Sequence, residues 1–255
     1  MKWSILVLTQ PSRTEFLRRL MGSLAPQVAK FSGVEVVIAQ FDKKFSIGKN
    51  RGMMIEAAAG EYVNFVDDDD LVAEDYVSSI YPLLDGVDYV GFLAKFHRDG
   101  VYCGKLSFHS LDFKGWSENA YGYFRDISHL NPIKKELAIL GKMGDHDGRV
   151  REDFFWASRL RSLGSVKTEH FVPRPMYLVY YRSDKPDGWE VTVDAQREKE
   201  QHEKEIAERE ENKLRQRGGK LSEGSLSHDQ CTLSSSVCSG TARDLDFQSP
   251  PGVGI

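Results

Sequence analysis

The first part of the chain alternates between short apolar runs and amphipathic stretches, and this alternation restricts the fold more than any other feature. Apolar runs at residues 4–8, 34–39 and 62–66 begin about thirty residues apart, which is the length of a βαβ unit. The amphipathic segments 14–24 and 47–59 lie between these runs and are predicted to be helices. Two such units predict an α/β fold in which a mostly parallel sheet is flanked by helices.

The rest of the chain divides into a globular part and a polar end. The later expected elements are a helix at 73–84, a strand pair at 88–108, an irregular segment at 110–130, helices at 132–140 and 153–163, and an extended segment at 165–181. After residue 183 the composition changes. We predict a globular domain over residues 1–188, a charged helical extension over 189–217 and a disordered tail, rich in Ser and Gly, over 218–255.

The composition argues against several classes of protein. A formal net charge of -4 provides no general attraction for nucleic acid or for an acidic membrane. The three cysteines lack CxxC spacing, so they indicate neither a zinc site nor a disulfide framework. No window approaches the ~20 apolar residues of a membrane-spanning helix, and the apolar run after Met1 is too short for a signal peptide. We therefore expect a cytoplasmic protein, which could still associate peripherally with a membrane.

The strongest chemical signal is the acidic run Asp67, Asp68, Asp69 and Asp70, which directly follows a predicted buried strand that ends at Val66. In open parallel sheets, ligands bind outside the carboxyl ends of the strands, so the run lies on the functional edge. A divalent cation would offset the repulsion within the run, and Mg²⁺ or Mn²⁺ could then bridge a diphosphate. Helix capping is the structural alternative, but one or two aspartates would be enough for it.

The order of several segments resembles the family 2 glycosyltransferases, which have the GT-A fold. The matching segments, in chain order, are Ser4-Ile-Leu-Val-Leu-Thr9 followed by Arg13; Gly48-Lys49-Asn50-Arg51-Gly52; Ala59-Gly60-Glu61-Tyr62 leading into Phe65-Val66 and the aspartates; and Glu152-Asp153. The resemblance covers about residues 3–182. It implies an inverting, metal-dependent transfer of a sugar from a nucleoside-diphosphate donor to a hydroxyl acceptor.

The resemblance also implies roles for the acidic run, which is similar to the family's DXD motif. Asp67 would then face the donor ribose and Asp69 would be the main ligand of Mn²⁺ or Mg²⁺, with Asp67 as a further metal ligand. Asp68 fills the motif's variable position, close to the donor, and Asp70 would support the metal or cap a helix. Thr9 and Arg13, in the first matching segment, are expected on the donor side as well.

Two positions on the donor side depart from the family. Lys49 stands where the family has arginine before Asn50; it keeps the charge but loses the two-pronged contact with phosphate. Gln40 stands where the family often has the aspartate that bonds the uracil ring, and glutamine can both donate and accept. Lys49, Asn50 and Gln40 are therefore expected to line the donor site, with the donor nucleotide left open. For Lys49, an exposed lysine at a helix start is an equal alternative.

On the acceptor side, Glu152-Asp153 resembles the family's ED motif. Asp153 is the candidate base that takes the proton of the acceptor hydroxyl, and Glu152 would orient it or bind the acceptor. His170 is interpreted either as a third metal ligand or as an ordinary strand histidine. His129 and Asn131 precede a predicted helix, where Asn131 could face the acceptor or serve as a cap before Pro132.

Several other residues have weaker indications. Trp116, Tyr121 and Tyr123 could stack on a sugar ring or form partial core, His146 is interpreted as loop polarity, and Arg182 could contact phosphate or cap the sheet edge. The acceptor stays open among a glycan, a lipid-linked sugar, a protein and a modified nucleic acid. Two other functions remain as alternatives: a non-catalytic protein that binds nucleotide sugars, and a sugar-phosphate nucleotidyltransferase. The second is disfavoured because Thr9-Gln10-Pro11-Ser12-Arg13 lacks the glycine-rich loop that such enzymes carry.

Overall fold

The computed structural model describes residues 1–120, 122–145 and 151–181 of the chain. The strands within these residues are β1 (Trp3–Thr9), β2 (Val34–Gln40), β3 (Tyr62–Phe65), β4 (Leu71–Val72), β5 (Tyr89–Arg98), β6 (Val101–His109), β7 (Ser117–Asn119), β8 (Gly122–Arg125), β9 (Ile133–Lys134) and β10 (Glu169–Tyr181). The helices are α1 (Thr14–Val28), α2 (Ile47–Ala57), α3 (Tyr76–Ile80), α4 (Lys135–Leu140) and α5 (Glu152–Leu163). In the described part of the chain, no helix is long and apolar enough to cross a membrane.

The strands form one sheet with the order β2-β1-β3-β9-β5-β6-β8-β7, and β10 pairs with β5 and β4. Strand β1 is parallel to both β2 and β3, β5 is parallel to β10, and β6 is parallel to β8. The short strand β9 is antiparallel to β3 and β5 and joins the first βαβ units to the rest of the sheet. The predicted α/β fold with a mostly parallel sheet is confirmed.

The core lies on both faces of this sheet. Ile5 and Val7 of β1 pack with the side chains of α1 and α3, whereas the intervening Leu6 packs with α2 and α5 on the other face. Successive side chains of a strand point to opposite faces, so β1, which is largely buried on both faces, is apolar from Ile5 to Leu8, whereas the polar Ser4 bonds Glu35. The two helical layers therefore fix the positions of the strand ends on which the candidate site lies.

Most of the expected elements are present, with local differences. The helix expected at 73–84 is the short α3 followed by a 3-10 turn, since Pro82 cannot continue an α-helix. The helix expected at 132–140 begins later, because residues 133 and 134 pair with β3 as β9. Asn131 is therefore not a helix cap. The irregular segment at 110–130 contains the small strands β7 and β8.

Some expectations fall on residues that the structure does not describe. Tyr121, His146, Arg182, the charged extension over 189–217 and the tail over 218–255 lie outside the described residues. The domain boundaries at 188 and 217 therefore stay predictions.

Candidate active site

The acidic run lies at the carboxyl edge of the parallel strands, as the pattern predicted. Strand β1 runs between β2 and β3, with Thr9 in register with Gln40. The amide of Val66 donates to the carbonyl of Leu6 at 2.9 Å, which carries the pairing up to the start of the run. Gln40, Thr9 and Asp67 consequently lie at neighbouring strand ends, where open α/β sheets bind ligands.

Asp68 is the most firmly held member of the run. Its carboxylate is buried, with 3% of the side chain exposed, and it accepts a hydrogen bond from Thr9 Oγ1 at 2.6 Å. Arg13 adds a second contact, Nε to Oδ1 at 2.8 Å, and an ion pair from Nη2. The sequence assigned Asp68 to a variable position, but the structure gives it a structural task. It anchors Thr9 and Arg13, which are two of the residues expected on the donor side.

Asp69 and Asp70 point to different surroundings. Asp69 keeps 36% of its side chain exposed and contacts Arg13 Nη2 at 2.6 Å. Burial and the charges of Asp67 and Asp68 raise its pKa, although Arg13 opposes them. Asp70 is buried and accepts hydrogen bonds from the hydroxyl of Tyr177 and the amide of Tyr180. Burial first, and then the charges of Asp67 and Asp69, raise the pKa of Asp70 well above its usual value. Asp70 therefore ties the run to β10, whereas Asp69 pairs with Arg13 and stays partly open to solvent.

Asp67 is joined to the start of α5 by Arg51. The Arg51 guanidinium is buried and places Nη2 at 2.6 Å from Asp67 Oδ1 and Nη1 at 2.8 Å from Glu152 Oε1. Burial favours neutral Asp67, but the charge of Arg51, with contributions from His129 and Arg13, outweighs it and lowers the pKa of this carboxyl group. Burial raises the pKa of Glu152, against the effect of Arg51. This bridge connects residues that are 101 positions apart in the sequence.

Asp153 and His129 lie on the other side of this bridge. Asp153 keeps 25% of its side chain exposed, and its Oδ2 lies 3.5 Å from Nδ1 of His129. Nε2 of the same imidazole lies 3.9 Å from Asp67 Oδ2. The His129 ring is 8% exposed, and neither of its nitrogens makes a hydrogen bond within the described residues. A buried imidazole without hydrogen bonds is costly, so this ring is suited to bind a group that enters between the two aspartates.

We call the region between the aspartate run, His129 and the start of α5 the cleft. The other predicted residues do not all lie in it. Gln40 and Lys49 are exposed near the donor edge. Asn50 is buried, and its amide bonds the backbone of Asp42 in both directions and donates to the carbonyl of Ser46 at 2.9 Å. Asn50 therefore acts on the site by fixing the loop after β2, because its hydrogen-bonding groups are already used there.

His170 is the candidate that the structure places farthest from the aspartates. It is exposed at the beginning of β10, where Nδ1 lies 2.8 Å from the carbonyl of Leu83. Asp70 contacts Tyr180, which pairs with β5 seven positions beyond the partner of His170, so His170 lies roughly 23 Å from the run. This distance removes His170 from any metal site that Asp69 helps to form, and the strand interpretation applies.

A donor-bound cation fits the aspartate edge. No group of three His, Cys, Asp or Glu side chains among the described residues is arranged to hold a metal ion by itself. Magnesium in nucleotide sites, however, is commonly held by one or two carboxylates together with phosphate oxygens and water. Asp69 has a partly exposed carboxylate, paired with Arg13, and the nearby negative charges of Asp67 and Asp68 that such an ion would offset.

Arg51, Tyr177 and His129 were not among the predicted site residues. Arg51 lies on the buried face of α2 together with Ile47 and Met54, and a charged residue at a core-facing helical position is a signal that the sequence does carry. Tyr177 follows the two prolines of β10 and has no comparable signal. Its hydroxyl accepts from the Asp67 amide at 2.9 Å and donates to Asp70.

Structural comparison identifies the fold. The chain superposes on S. aureus TarS 1-349 with a TM-score of 0.53 and 17% identity, covering 71% of this chain and 60% of that one. For TarS 1-349 in complex with UDP-GlcNAc the TM-score is 0.55 at 17% identity, over 72% and 60% of the two chains. This chain has the GT-A fold. It spans about three fifths of the length of these TarS structures. No family model and no curated protein matches the sequence.

The complex of TarS 1-349 with UDP gives a similar result, with a TM-score of 0.54 and 18% identity over 71% of this chain and 61% of that one. At these identities the similarity establishes the GT-A architecture, and it agrees with the fold that the resemblance in sequence implied.

Proposed function

We propose that this chain is a glycosyltransferase that moves a sugar from a nucleoside-diphosphate donor to a hydroxyl acceptor, with a divalent metal and with inversion at the transferred carbon. The observation that carries the proposal is the buried Arg51, which contacts Asp67 at the strand edge and Glu152 at the start of α5. It joins the edge suited to the donor to the helix that carries the candidate base. The GT-A fold, shared with TarS structures that contain UDP and UDP-GlcNAc, supports the same function.

The donor side of the cleft is assigned to the strand edge. Asp67 is proposed to face the ribose of the donor, and Gln40 is proposed to face its nucleobase. Asp69 would hold Mn²⁺ or Mg²⁺ together with the diphosphate. Thr9 and Arg13 fix Asp68 and thereby the position of the run. When bound, the cation supplies positive charge against the negative charge that develops on the leaving diphosphate.

The proposed reaction uses Asp153 as the base. Its carboxylate takes the proton of the acceptor hydroxyl while the hydroxyl oxygen forms a bond to the anomeric carbon of the donor sugar. The bond between that carbon and the diphosphate oxygen breaks, and its electron pair leaves with the nucleoside diphosphate. Asp153 suits this role better than Glu152, because Glu152 is buried and paired with Arg51 whereas Asp153 is partly exposed.

The cellular setting is part of the proposal. The odd number of cysteines suits a reducing cytoplasm, where disulfides are rare. The acceptor hydroxyl could belong to a glycan, a lipid-linked sugar, a protein or a modified nucleic acid, and contact with a membrane face is compatible with a lipid-linked acceptor.

A thermal-shift panel of nucleoside diphosphates and their sugars, measured with and without Mn²⁺, tests the proposal. We expect one nucleotide to raise the melting temperature only when Mn²⁺ is present, since a ligand at about 100 times its Kd adds ~2.7 kcal/mol to the stability of the native state. If none of the nucleotides shifts the melting temperature, the proposed function is wrong. Slow, metal-dependent release of free sugar from the identified donor, without acceptor, then separates an enzyme from a binding protein.

A further inference from the structure

Arg125, at the end of β8, is a half-buried cation. Its guanidinium carbon lies 4.0 Å from the ring centroid of Trp116, and within the described ranges no carboxylate forms an ion pair with it. Burial lowers the pKa of Arg125, and the carboxylate of Asp153 is the largest charge that opposes this effect. Arg125 therefore lies within electrostatic reach of the candidate base and does not pair with it.

The other buried or half-buried arginines around the cleft are neutralised by acids. Arg13 pairs with Asp68 and Asp69, and Arg51 pairs with Asp67 and Glu152. The residue directly after Arg125, the buried Asp126, is used by Arg161, whose Nη2 lies 2.8 Å from Asp126 Oδ1. Removing a cation from water without an opposing charge costs free energy, so the isolated position of Arg125 calls for an explanation.

A second arginine, Arg151, is exposed and also contacts an aromatic ring on the same side of the cleft. The Trp116 ring meets the Phe154 ring edge-on, with centroids 5.4 Å apart, and the guanidinium carbon of Arg151 lies 5.2 Å from the centroid of Phe154. Arg151 has a φ of 71°, a left-handed conformation that is unfavourable for arginine. We call Arg125, Trp116, Phe154 and Arg151 the cation–aromatic array. Because Asp153 directly precedes Phe154, the array adjoins the candidate base.

We propose that the cation–aromatic array binds an anionic group of the acceptor, so that the acceptor is a saccharide or polyol that carries a phosphate or carboxylate near its reacting hydroxyl. A guanidinium stacked on an aromatic ring keeps its in-plane N–H groups for a two-pronged contact with phosphate or carboxylate. This inference rests on the proposed function, because Asp153 defines where the hydroxyl reacts.

The anion could also belong to the donor diphosphate, and the position of β8 argues against that source. In the sheet order, β8 lies four places beyond β3, which leads into the aspartate run. The donor edge also has its own cation, Arg13, at 2.6 Å from Asp69. An acceptor anion on Arg125 would approach Asp153 from the side away from the aspartates.

Calorimetric binding to the full chain, in the presence of saturating UDP and Mn²⁺, tests the inference. The anionic probes are glycerol 3-phosphate and glucuronate, and the neutral probes are glycerol and glucose. For the unmodified chain we expect the anionic probes to bind at least about tenfold more tightly, since hydrogen bonds to charged groups have this magnitude. Arg125→Gln should lose that preference, and Arg125→Lys should keep part of it.

Arg18→Gln is the matched control, because it removes the same charge from an exposed position on α1. It should bind every probe as the unmodified chain does. An unchanged preference for anions in Arg125→Gln, or no preference in the unmodified chain, would overturn the inference. A loss of UDP affinity in Arg125→Gln would assign the arginine to the donor instead. If Arg125→Gln does not fold, Arg125→Lys carries the test, and full retention of affinity there would overturn the two-pronged contact.

The two proposals can fail separately in this experiment. Absence of UDP binding, and of binding by any other nucleoside diphosphate, would remove the proposed function while an Arg125-dependent preference for anions could remain. Normal nucleotide binding without that preference would leave the proposed function in place and remove the anionic acceptor.

Discussion

The two sides of the cleft treat charge in opposite ways. On the aspartate side, each acidic residue of the run contacts protein groups: Arg51 meets Asp67, Arg13 meets Asp68 and Asp69, and Tyr177 meets Asp70. On the side of β8 and the start of α5, Arg125 and Arg151 contact aromatic rings and form no ion pair within the described residues. The first arrangement positions acidic groups in advance, and the second leaves positive charge for a ligand to neutralise.

The largest effect is expected from Asp153→Asn, which tests the side of α5. Removing the base should lower sugar transfer by about 10²–10⁴-fold, which is the usual contribution of general base catalysis, with little change in nucleotide affinity. Steady-state transfer and nucleotide titration measure the two quantities. Asp85→Asn, at a position with 84% of the side chain exposed, is the control and should retain full activity. Unchanged transfer in Asp153→Asn would show that Asp153 is not the base. The side of α5 would then have no catalytic role to set against donor binding on the aspartate side.

The next largest effect concerns the bridge between the sides. Arg51→Met leaves Glu152 buried without its partner and deprives Asp67 of its nearest cation. We expect the free energy of unfolding to fall by about 3–5 kcal/mol, as it does when one partner of a buried ion pair is removed. Urea unfolding gives this value. Arg18→Met, on the exposed face of α1, removes only a surface ion pair and should leave the free energy of unfolding close to that of the unmodified chain. A comparably small loss in Arg51→Met would mean that the bridge does not hold the sides together.

Within the aspartate run, two neighbouring residues should behave differently. Asp68→Asn removes a buried charge that Thr9 and Arg13 contact, so we expect a loss of about 1–3 kcal/mol of stability. Asp69→Asn, at a side chain that is 36% exposed, should cost little stability but weaken Mn²⁺-dependent nucleotide binding. Melting temperature and nucleotide affinity, measured on both variants, separate these roles. If Asp69→Asn instead lost stability and Asp68→Asn lost nucleotide binding, Asp68 would be the residue that contacts the ligand and Asp69 the one that holds the run in place.

Much of this division could not be predicted from the sequence, although the fold could. Mainly apolar runs thirty residues apart identified β1, β2 and β3, because strands of a parallel sheet that helices cover are rich in apolar residues. The same pattern placed the aspartates at a strand end. The adjacency of Glu152 and Asp153 to the run was only implied by the resemblance, and it depends on a contact over 101 positions that no local pattern encodes.

Two assignments within the site depend on contacts that the sequence does not show. The resemblance placed Asn50 near the donor and Asp68 in a variable position of the motif. In the structure the Asn50 side chain bonds the loop backbone, and the Asp68 carboxylate accepts from Thr9 and Arg13. Whether a polar group is free for a ligand depends on which neighbours satisfy it, and these neighbours come from distant segments.

The smallest expected effect concerns His109 of β6, which pairs in the sheet with Arg125 of β8. It is buried, its ring nitrogens lie 2.6 Å from Asn131 Oδ1 and 2.9 Å from Ser107 Oγ, and burial lowers its pKa to about 3. The nearby charges of Arg125 and His129 act in the same direction, and the hydrogen bond with Asn131 opposes them. In the unfolded chain a histidine has a pKa of about 6.5. Between these two values only the unfolded state binds the proton, so stability falls as the pH falls.

From pH 6.5 to pH 5 this difference in proton binding should reduce the free energy of unfolding by about 1.5 kcal/mol. Urea unfolding at several pH values measures the slope in a window where most carboxylates stay ionised. His109→Gln should lose this part of the slope. If the variant and the unmodified chain have the same slope, His109 is not held neutral by the fold.

We propose that the aspartate edge binds the donor nucleotide through Asp69. Calorimetric titration tests this role of Asp69. The unmodified chain and Asp69→Ala are each titrated with UDP, or with the nucleotide that the thermal-shift panel identifies. Each titration is run with and without Mn²⁺. We expect binding to the unmodified chain that strengthens with Mn²⁺, and at least tenfold weaker binding to Asp69→Ala with no response to the metal. Equal, metal-independent affinities for the two proteins would contradict it.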